Sequence, residues 1–413
     1  MLDGLQEDRR SVGAAGLAAG APRLGLSRLV LTDFRNYQAA RLDLAPTRQL
    51  PVVVLTGANG AGKTNLLEAL SFLSPGRGLR NARLGDVERR NPGAETASAG
   101  WAVSATVETR RGPISIGTGR VGTGREAGES GERRVIRIDG EPTRGQAVLA
   151  ERFGVLWLTP AMDRLFVEGP GGRRRLMDRL VLGLDPAHAA RVARYEQALR
   201  ERSRLLRAVS QGGRSDPAWL AALEEIMAAE GVALAAARRD AIERLDLECA
   251  AAIGAFPRAR LSLIGTVEAW LDEMPALAVE EQFRAALLRN RPSDAPLGGA
   301  ELGPHRSDLA VMHAEKGIAA ETASTGEQKA LLIAILLAQA RLQRALRGEP
   351  PLLLLDEVSA HLDAARRAAL FEILAVFDSQ AWLTGTDAAL FAPLRGAARF
   401  VSVTDGTLSD TDC

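Results

Sequence analysis

The sequence predicts an α/β fold in which a parallel-sheet lobe is interrupted by a mostly helical one. Three observations predict it. Two continuous apolar runs suited to buried parallel strands, PVVVLT (51–56) and LLLL (352–355), lie far apart in the chain. The first runs straight into the glycine loop GANGAGKT (57–64) and the second ends on the acidic pair Asp356 and Glu357. Between them, from about 172 to 290, Ala, Leu, Arg and Glu dominate, the composition of helices. The order strand, glycine loop, helical insertion, strand, helix, strand implies a discontinuous nucleotide-binding lobe over 23–165 and 347–410, with a helical lobe over 166–346.

The elements follow in order. Residues 26–32 and 39–45 read as a strand pair joined through DFRNY. After the glycine loop comes a helix from about Lys63 to Leu73. Alternating segments near 101–108, 113–118 and 134–139 predict an antiparallel layer, with the glycine-rich stretch 117–131 as a flexible hairpin tip. FGVLWLT (153–159) reads as a strand. No heptad pattern persists beyond a few turns of the helical stretch, so a long coiled coil is not expected. Residues 327–346 form a helix, ended by GEPP before LLLLDE. A helix at 363–377, a strand at 380–384 and a terminal hairpin close the chain.

Composition narrows the class. The 413 residues are 46% hydrophobic and 25% charged, the profile of a soluble globular protein. Aromatics are only 4%, which disfavours recognition of bases by stacking. Two cysteines, Cys249 and Cys413, form no metal-ligand spacing, consistent with a reducing cytoplasm. No apolar run approaches the roughly 20 residues of a membrane span. Residues 1–22 are Gly/Ala-rich with mixed charge and read as a disordered extension rather than a leader. Lysine occurs three times, at 63, 316 and 329, among 52 basic residues. Two of the three fall in glycine loops.

GANGAGKT matches GxxxxGK[ST] in full and sits between an apolar strand and an amphipathic helix. Its backbone from Gly57 through Ala58, Asn59, Gly60, Ala61 and Gly62 to Asn65 wraps phosphate oxygens. Lys63 reaches the β/γ-phosphates of ATP, and Thr64 meets Mg²⁺. Asp356 is suited to the Mg²⁺ shell and Glu357 to polarising the attacking water. STGEQK (324–329) opens the 327–346 helix. Locally it has two readings: a capping box, or an anion site in which the Ser324 hydroxyl and Gly326 N–H hold a phosphate at a helix N-terminus.

This constellation, with SAHLD (359–363) after the acidic pair, resembles the ABC-type ATPase superfamily. The resemblance implies that Ser324, Gly326 and Gln328 face the γ-phosphate held by a second copy of the chain. Asp363 would then line the dimer seam. Lys63 and Gly326 are 263 residues apart, much longer than in transporter ATPases and far shorter than in SMC proteins. From Leu26 to Leu408 the chain instead resembles the RecF family of bacterial recombination mediators. The motifs that carry this are LTDFRNYQAARLDL, GANGAGKTNLLEAL, LTPAMDRLFVEGPGGRRRLMDRLV, GPHRSDL, STGEQKALLIAILLAQ and LLLLDEVSAHLD.

The RecF resemblance implies an ATP-driven homodimer that clamps duplex DNA near single-strand/double-strand junctions. It also implies RecR and RecO as partners, help to RecA loading at gaps, and slow hydrolysis as the reset. The alternatives are another ATPase of the superfamily, either a transporter subunit or an OLD-type repair or signalling protein. Arg35 and Asn36 of DFRNY either close a turn or, by resemblance, lie near the nucleotide. No switch histidine follows SAHLD; Thr384 or Thr386 stands in LTGTD. Asp163 stands in place of a Q-loop glutamine or caps its loop. Glu327 departs from the family pattern and would repel a phosphate unless it caps its own helix. His305 and Arg306 of GPHRSDL fit a lobe-coupling cluster, or a contact to DNA or a partner. Residues 173–214 carry eleven arginines against four acids, read as a solvated face or as duplex-DNA contact through Arg173, Arg174 and Arg175.

Overall fold

A computed structural model describes residues 24–44, 51–89, 100–121, 134–213, 216–251, 253–360 and 362–411. The expected N-terminal extension, and residues 122–131 of the expected hairpin tip, lie outside them. In chain order the strands are β1 (Gly25–Phe34), β2 (Tyr37–Asp43), β3 (Val52–Thr56), β4 (Gly100–Thr109), β5 (Gly112–Val121), β6 (Val135–Ile138), β7 (Glu141–Pro142), β8 (Val155–Leu158), β9 (Ala259–Ile264), β10 (Asp308–His313), β11 (Ile318–Ala319), β12 (Leu352–Leu355), β13 (Ala381–Gly385), β14 (Ala398–Thr404) and β15 (Thr407–Asp410). The helices are α1 (Lys63–Ser71), α2 (Ala147–Arg152), α3 (Pro170–Leu184), α4 (His188–Ser210), α5 (Pro217–Ala250), α6 (Thr266–Glu273), α7 (Ala276–Arg289), α8 (Arg291–Leu297), α9 (Thr325–Arg347) and α10 (Ala364–Val376).

The central sheet runs β15-β14-β3-β13-β12-β8, parallel except for β15. β3, β8, β12 and β13 are buried on both faces, which is why they read as apolar runs, whereas the edge strand β15 is largely exposed. Val53, Leu55, Leu352 and Leu354 point into one hydrophobic cluster, shared with α1 and the antiparallel sheet β2-β1-β4-β5-β6-β7. Val52, Val54, Leu353 and Leu355 point into the other, shared with α9, α5 and α10. Alternate residues of a strand face opposite ways, so each short run serves two cores. Helix α9 lies on the second face with Leu331 to Leu337 all buried, joining the helical lobe to the sheet through one continuous core.

The helical lobe carries one element the sequence pattern did not predict. A three-stranded antiparallel sheet, β11-β10-β9, lies within it. ARLSLI (259–264) alternates, but its partner β10 follows α6, α7 and α8, and a single short alternation is weak until it is paired. The 34-residue α5 packs along α4 and α7. GPHRSDL stitches this lobe together. His305 accepts the Tyr195 hydroxyl at Nδ1 (2.7 Å) and donates from Nε2 to the Ala300 carbonyl (2.8 Å). A carbonyl only accepts, so the hydrogen is placed on Nε2. Arg238 donates to the Pro304 carbonyl at 2.6 Å.

Burial pushes His305 down from 6.5 to about 4. Between those values the unfolded chain binds the extra proton. This contribution to stability is therefore complete above pH 6.5 and lost as the pH falls towards 4, about 3 kcal/mol in all. Urea midpoints across that window should fall for the parent chain and flatten in His305→Gln.

Candidate nucleotide-binding and hydrolysis site

The glycine loop joins β3 to α1, and its geometry requires glycine at two places. Gly57 has φ +151, and a Cβ there would sit 2.2 Å from the Val403 carbonyl oxygen of β14. Gly62 has φ +119, and a Cβ would meet Asn36 Nδ2 at 2.6 Å and the Tyr37 hydroxyl at 2.9 Å. Those two groups brace the loop. Asn36 Nδ2 donates to the Ala61 carbonyl (3.0 Å) and the Tyr37 hydroxyl to the Gly62 carbonyl (3.0 Å). Bonding these carbonyls from behind favours a conformation whose N–H groups are left for an anion. Asn59 and Gly60 are exposed.

Gly62→Ala is expected to lower ATP affinity at least tenfold in equilibrium binding. Gly60→Ala adds a Cβ into open space and carries only the strain of φ +83, about 1–3 kcal/mol. Equal losses in the two variants would contradict the brace.

Lys63 is 5% exposed. Its ammonium donates to the Gly57 and Ala58 carbonyls at 2.7 and 2.8 Å. Burial holds its pKa below the ordinary lysine value, partly offset by Glu357 and then Asp356. Thr64 Oγ1 lies 3.0 Å from both Asp356 oxygens, and Thr384 Oγ1 donates to Asp356 Oδ1 at 2.7 Å. A hydroxyl and a carboxylate side by side are the sparse donor set Mg²⁺ uses beside phosphates, so Thr64 and Asp356 fit that ion. Bound there, Mg²⁺ would neutralise phosphate charge. Glu357 follows with a left-handed φ of 48, and its N–H donates to Thr384 Oγ1 at 2.8 Å. Strain of this kind in a non-glycine residue persists where surrounding groups hold it.

Several expected roles are corrected by this geometry. Arg35 does not point at the loop: its guanidinium forks onto the buried Glu68 of α1 (2.6 and 2.8 Å) and the Asp86 carbonyl (2.7 Å). It anchors α1, together with Arg80, which also binds Glu68 and Asn65. The Asn65 side chain is held by Arg80 and Asn36. Gln328 is buried and bonds the Ala323 carbonyl at 2.9 Å, so its side chain is not presented to a ligand. Thr386 is exposed, while Thr384 touches Asp356; the strand pairs Thr384 with Leu55 and so carries it into the site.

At the N-terminus of α9, Ser324 and Glu327 form the complete capping box. Glu327 also pairs with Lys316, and this contact, then the Ser324 N–H and hydroxyl, pulls its pKa down to about 2. The carboxylate therefore stays charged and is spoken for by its own helix. Ser324 is exposed and Gly326 is half-buried; among the described residues no hydrogen bond joins 324–326 to the chain's own glycine loop. Asp363 caps α10 by accepting from the Arg366 N–H at 2.8 Å, and its side chain is 55% exposed.

Arg202 is buried and Arg173, Arg174, Arg179 and Arg191 are half-buried, while Arg175, Arg194, Arg200, Arg204 and Arg207 are exposed. Arg173 donates to Asp308 (2.7 and 2.8 Å) and to the Leu165, Phe166 and Glu168 carbonyls, and Arg174 donates to the Ser307 carbonyl at 3.0 Å. Arg179 stacks over Trp157, with its guanidinium 4.4 Å from the ring centroid. Arg191, Arg194, Arg200 and Arg202 pair with carboxylates. Part of the local excess of charge is answered by Glu224, Glu230, Asp294 and Asp308 from outside the window, which a local count misses. Of the three proposed DNA contacts only Arg175 is exposed. Arg214 lies outside the described residues. No group of three or more His, Cys, Asp or Glu positioned for a metal ion occurs among the described residues, and no helix among them is long and apolar enough to cross a membrane.

Comparison with known proteins gives the family. Residues 25–406 match the family described as the RecF/RecN/SMC N terminal domain. The chain is 48% identical over 389 residues to a DNA replication and repair protein RecF of Mesorhizobium japonicum, covering 94% of this chain and 98% of that one. It is also 48% identical to the RecF of Agrobacterium fabrum, covering 94% and 99%. A solved structure of the recombination mediator protein RecF with ATPrS, from the RecFOR pathway, shares the fold at a TM-score of 0.80 and 21% identity, covering 95% of this chain and 99% of that one. The Smc head domain of Pyrococcus furiosus shares it more loosely, at 0.51 and 16%, covering 94% and 96%. On the sequence relatives and the full-length family match, with the fold of an ABC-type ATPase head, the chain belongs to the RecF family.

Proposed function

We propose that this protein is a nucleotide-switched DNA-binding protein of recombinational repair, acting in the cytoplasm. ATP and Mg²⁺ join two chains head to tail, each supplying a glycine loop to one nucleotide and the α9 N-terminus to the other. The pair clamps duplex DNA near single-strand/double-strand junctions, RecR and RecO are its partners, and RecA loading at gaps is the outcome. Weak, DNA-stimulated hydrolysis resets it.

The observation that carries the reading is the division of the site. The glycine loop, Thr64 and Asp356 are assembled within one chain, while Ser324 stands exposed at a helix N-terminus with no bond to that loop. A helix N-terminus facing solvent is fitted to an anion brought by another molecule. The names of the relatives supply the biological setting. Arg175 is the exposed arginine carried forward as a DNA contact.

The test is an electrophoretic shift on gapped duplex, with and without ATP, at two salt concentrations. Binding should require ATP and weaken with salt, log K falling about 0.9 per phosphate neutralised against log salt. Lys63→Ala should bind neither ATP nor, in consequence, DNA. A shift indifferent to nucleotide would overturn the clamp.

A further inference from the structure

Lys329 is one of three lysines in a chain that otherwise uses arginine, and its side chain is 3% exposed. It stands five positions beyond Ser324, on α9, the helix opened by STGEQK and termed here the signature helix. Its ammonium does not turn towards the helix N-terminus. It lies 3.3 Å from Asp163 Oδ2 and 3.3 Å from the backbone carbonyl of Glu357. Asp163 belongs to the turn after β8, and its other oxygen is buried without a hydrogen-bond partner.

The peptide units on either side of Glu357 are thus held at both ends. Its N–H is tied to Thr384, which in turn is tied to Asp356 and so to Thr64. Its carbonyl accepts from Lys329 and, within the turn itself, from the Ala360 N–H at 3.1 Å, so Lys329 is the tie that comes from another element. Between these ties the residue keeps a left-handed backbone, φ 48, that a glutamate does not favour. A side chain whose backbone is pinned in such a conformation has its direction set by whoever holds the pins.

We infer that Lys329 is a positioning residue for Glu357 of its own chain, so that the signature helix serves two nucleotides at once. Its N-terminus meets the partner's phosphate, and Lys329 aims the glutamate of the home site. A slender, unbranched ammonium fits between a carboxylate and a carbonyl where a planar guanidinium fork is a worse match. The inference rests on the proposed ATP-joined dimer for its second half, but the pinning of Glu357 belongs to the single chain. Seating of the partner's ATP on one α9 would then be felt at Glu357 of the other site through Lys329.

Two experiments test it. In the first, hydrogen exchange is followed on the single chain without nucleotide. Lys329→Met should speed exchange at the Glu357 amide at least tenfold and leave the amides of 57–64 unchanged. Unchanged exchange at Glu357 overturns the inference whatever the dimer does.

In the second, mixed dimers pair one chain carrying Lys63→Ala with a chain whose glycine loop is intact, so one nucleotide site works. Lys329→Met placed in the chain with the working glycine loop should lower kcat about tenfold or more with KM for ATP unchanged. Placed in the Lys63→Ala chain, which supplies only the signature to that nucleotide, it should have little effect. The reverse pattern makes Lys329 a part of the signature contact and overturns the inference. Failure of the unsubstituted mixed dimer to form with ATP counts against the clamp, and the exchange result then decides Lys329 alone.

Discussion

Glu357→Gln is expected to leave two chains locked on ATP, with hydrolysis about 10²–10⁴-fold slower and DNA release slowed in step. Gln keeps the size and the backbone conformation, so Thr384 and Lys329 retain their bonds to the peptide. What is lost is the carboxylate proposed to polarise water. Lys63 also loses the leading one of the two negative neighbours that offset its burial, and Asp356 remains to do so. ATP binding should therefore survive, in contrast to Lys63→Ala, which removes the charge proposed to reach the phosphates. Sedimentation with ATP and Mg²⁺ separates the two: a persistent dimer for Glu357→Gln, a monomer for Lys63→Ala. Dissociation of the Glu357→Gln dimer at the parent rate would show that Glu357 is not the residue that activates water.

The second large effect is on stability, and it lies far from the nucleotide. Arg202 of α4 is fully buried between Glu224 (2.9 Å) and Asp294 (2.8 Å), and also donates to the Leu287 carbonyl at 2.7 Å. Arg291 completes the cluster on Glu224. Four helices, α4, α5, α7 and α8, meet at this point. Arg202→Met keeps much of the volume but leaves two buried carboxylates facing one remaining guanidinium. Removing one partner from a buried ion cluster costs about 3–5 kcal/mol, mainly because the charge left behind is unsolvated. Urea unfolding should show a loss of that size. Adding Glu224→Gln and Asp294→Asn to Arg202→Met should recover part of it, since the stranded charges are then gone. A loss below about 1 kcal/mol would mean that water reaches the carboxylates once the arginine is removed.

Both effects concern groups of opposite legibility. The role proposed for Glu357 was readable because it is written in adjacent residues: an apolar strand, an acidic pair, and a glycine loop upstream. Arg202 was not, because its meaning lies in Glu224 and Asp294, brought to it only by packing. The same reason accounts for Arg173 and Arg194, whose partners Asp308 and Glu230 lie outside the arginine-rich window. Arg35 followed suit, since Glu68 sits on a helix that the sequence had already assigned to nucleotide binding.

By itself the sequence determined the two-lobed α/β plan, the phosphate loop, the acidic strand end and the helix that STGEQK opens. Each of these depends on interactions between near neighbours or on a strand buried on both faces. Only the tertiary structure decided that Thr384 rather than Thr386 reaches Asp356, that Arg173 is bound to Asp308, that β9 finds β10, and that Lys329 holds the glutamate beside its own glycine loop. Those choices turn on which distant group fills a buried hydrogen-bond requirement, and a buried donor or acceptor must be satisfied by whatever the fold brings within reach.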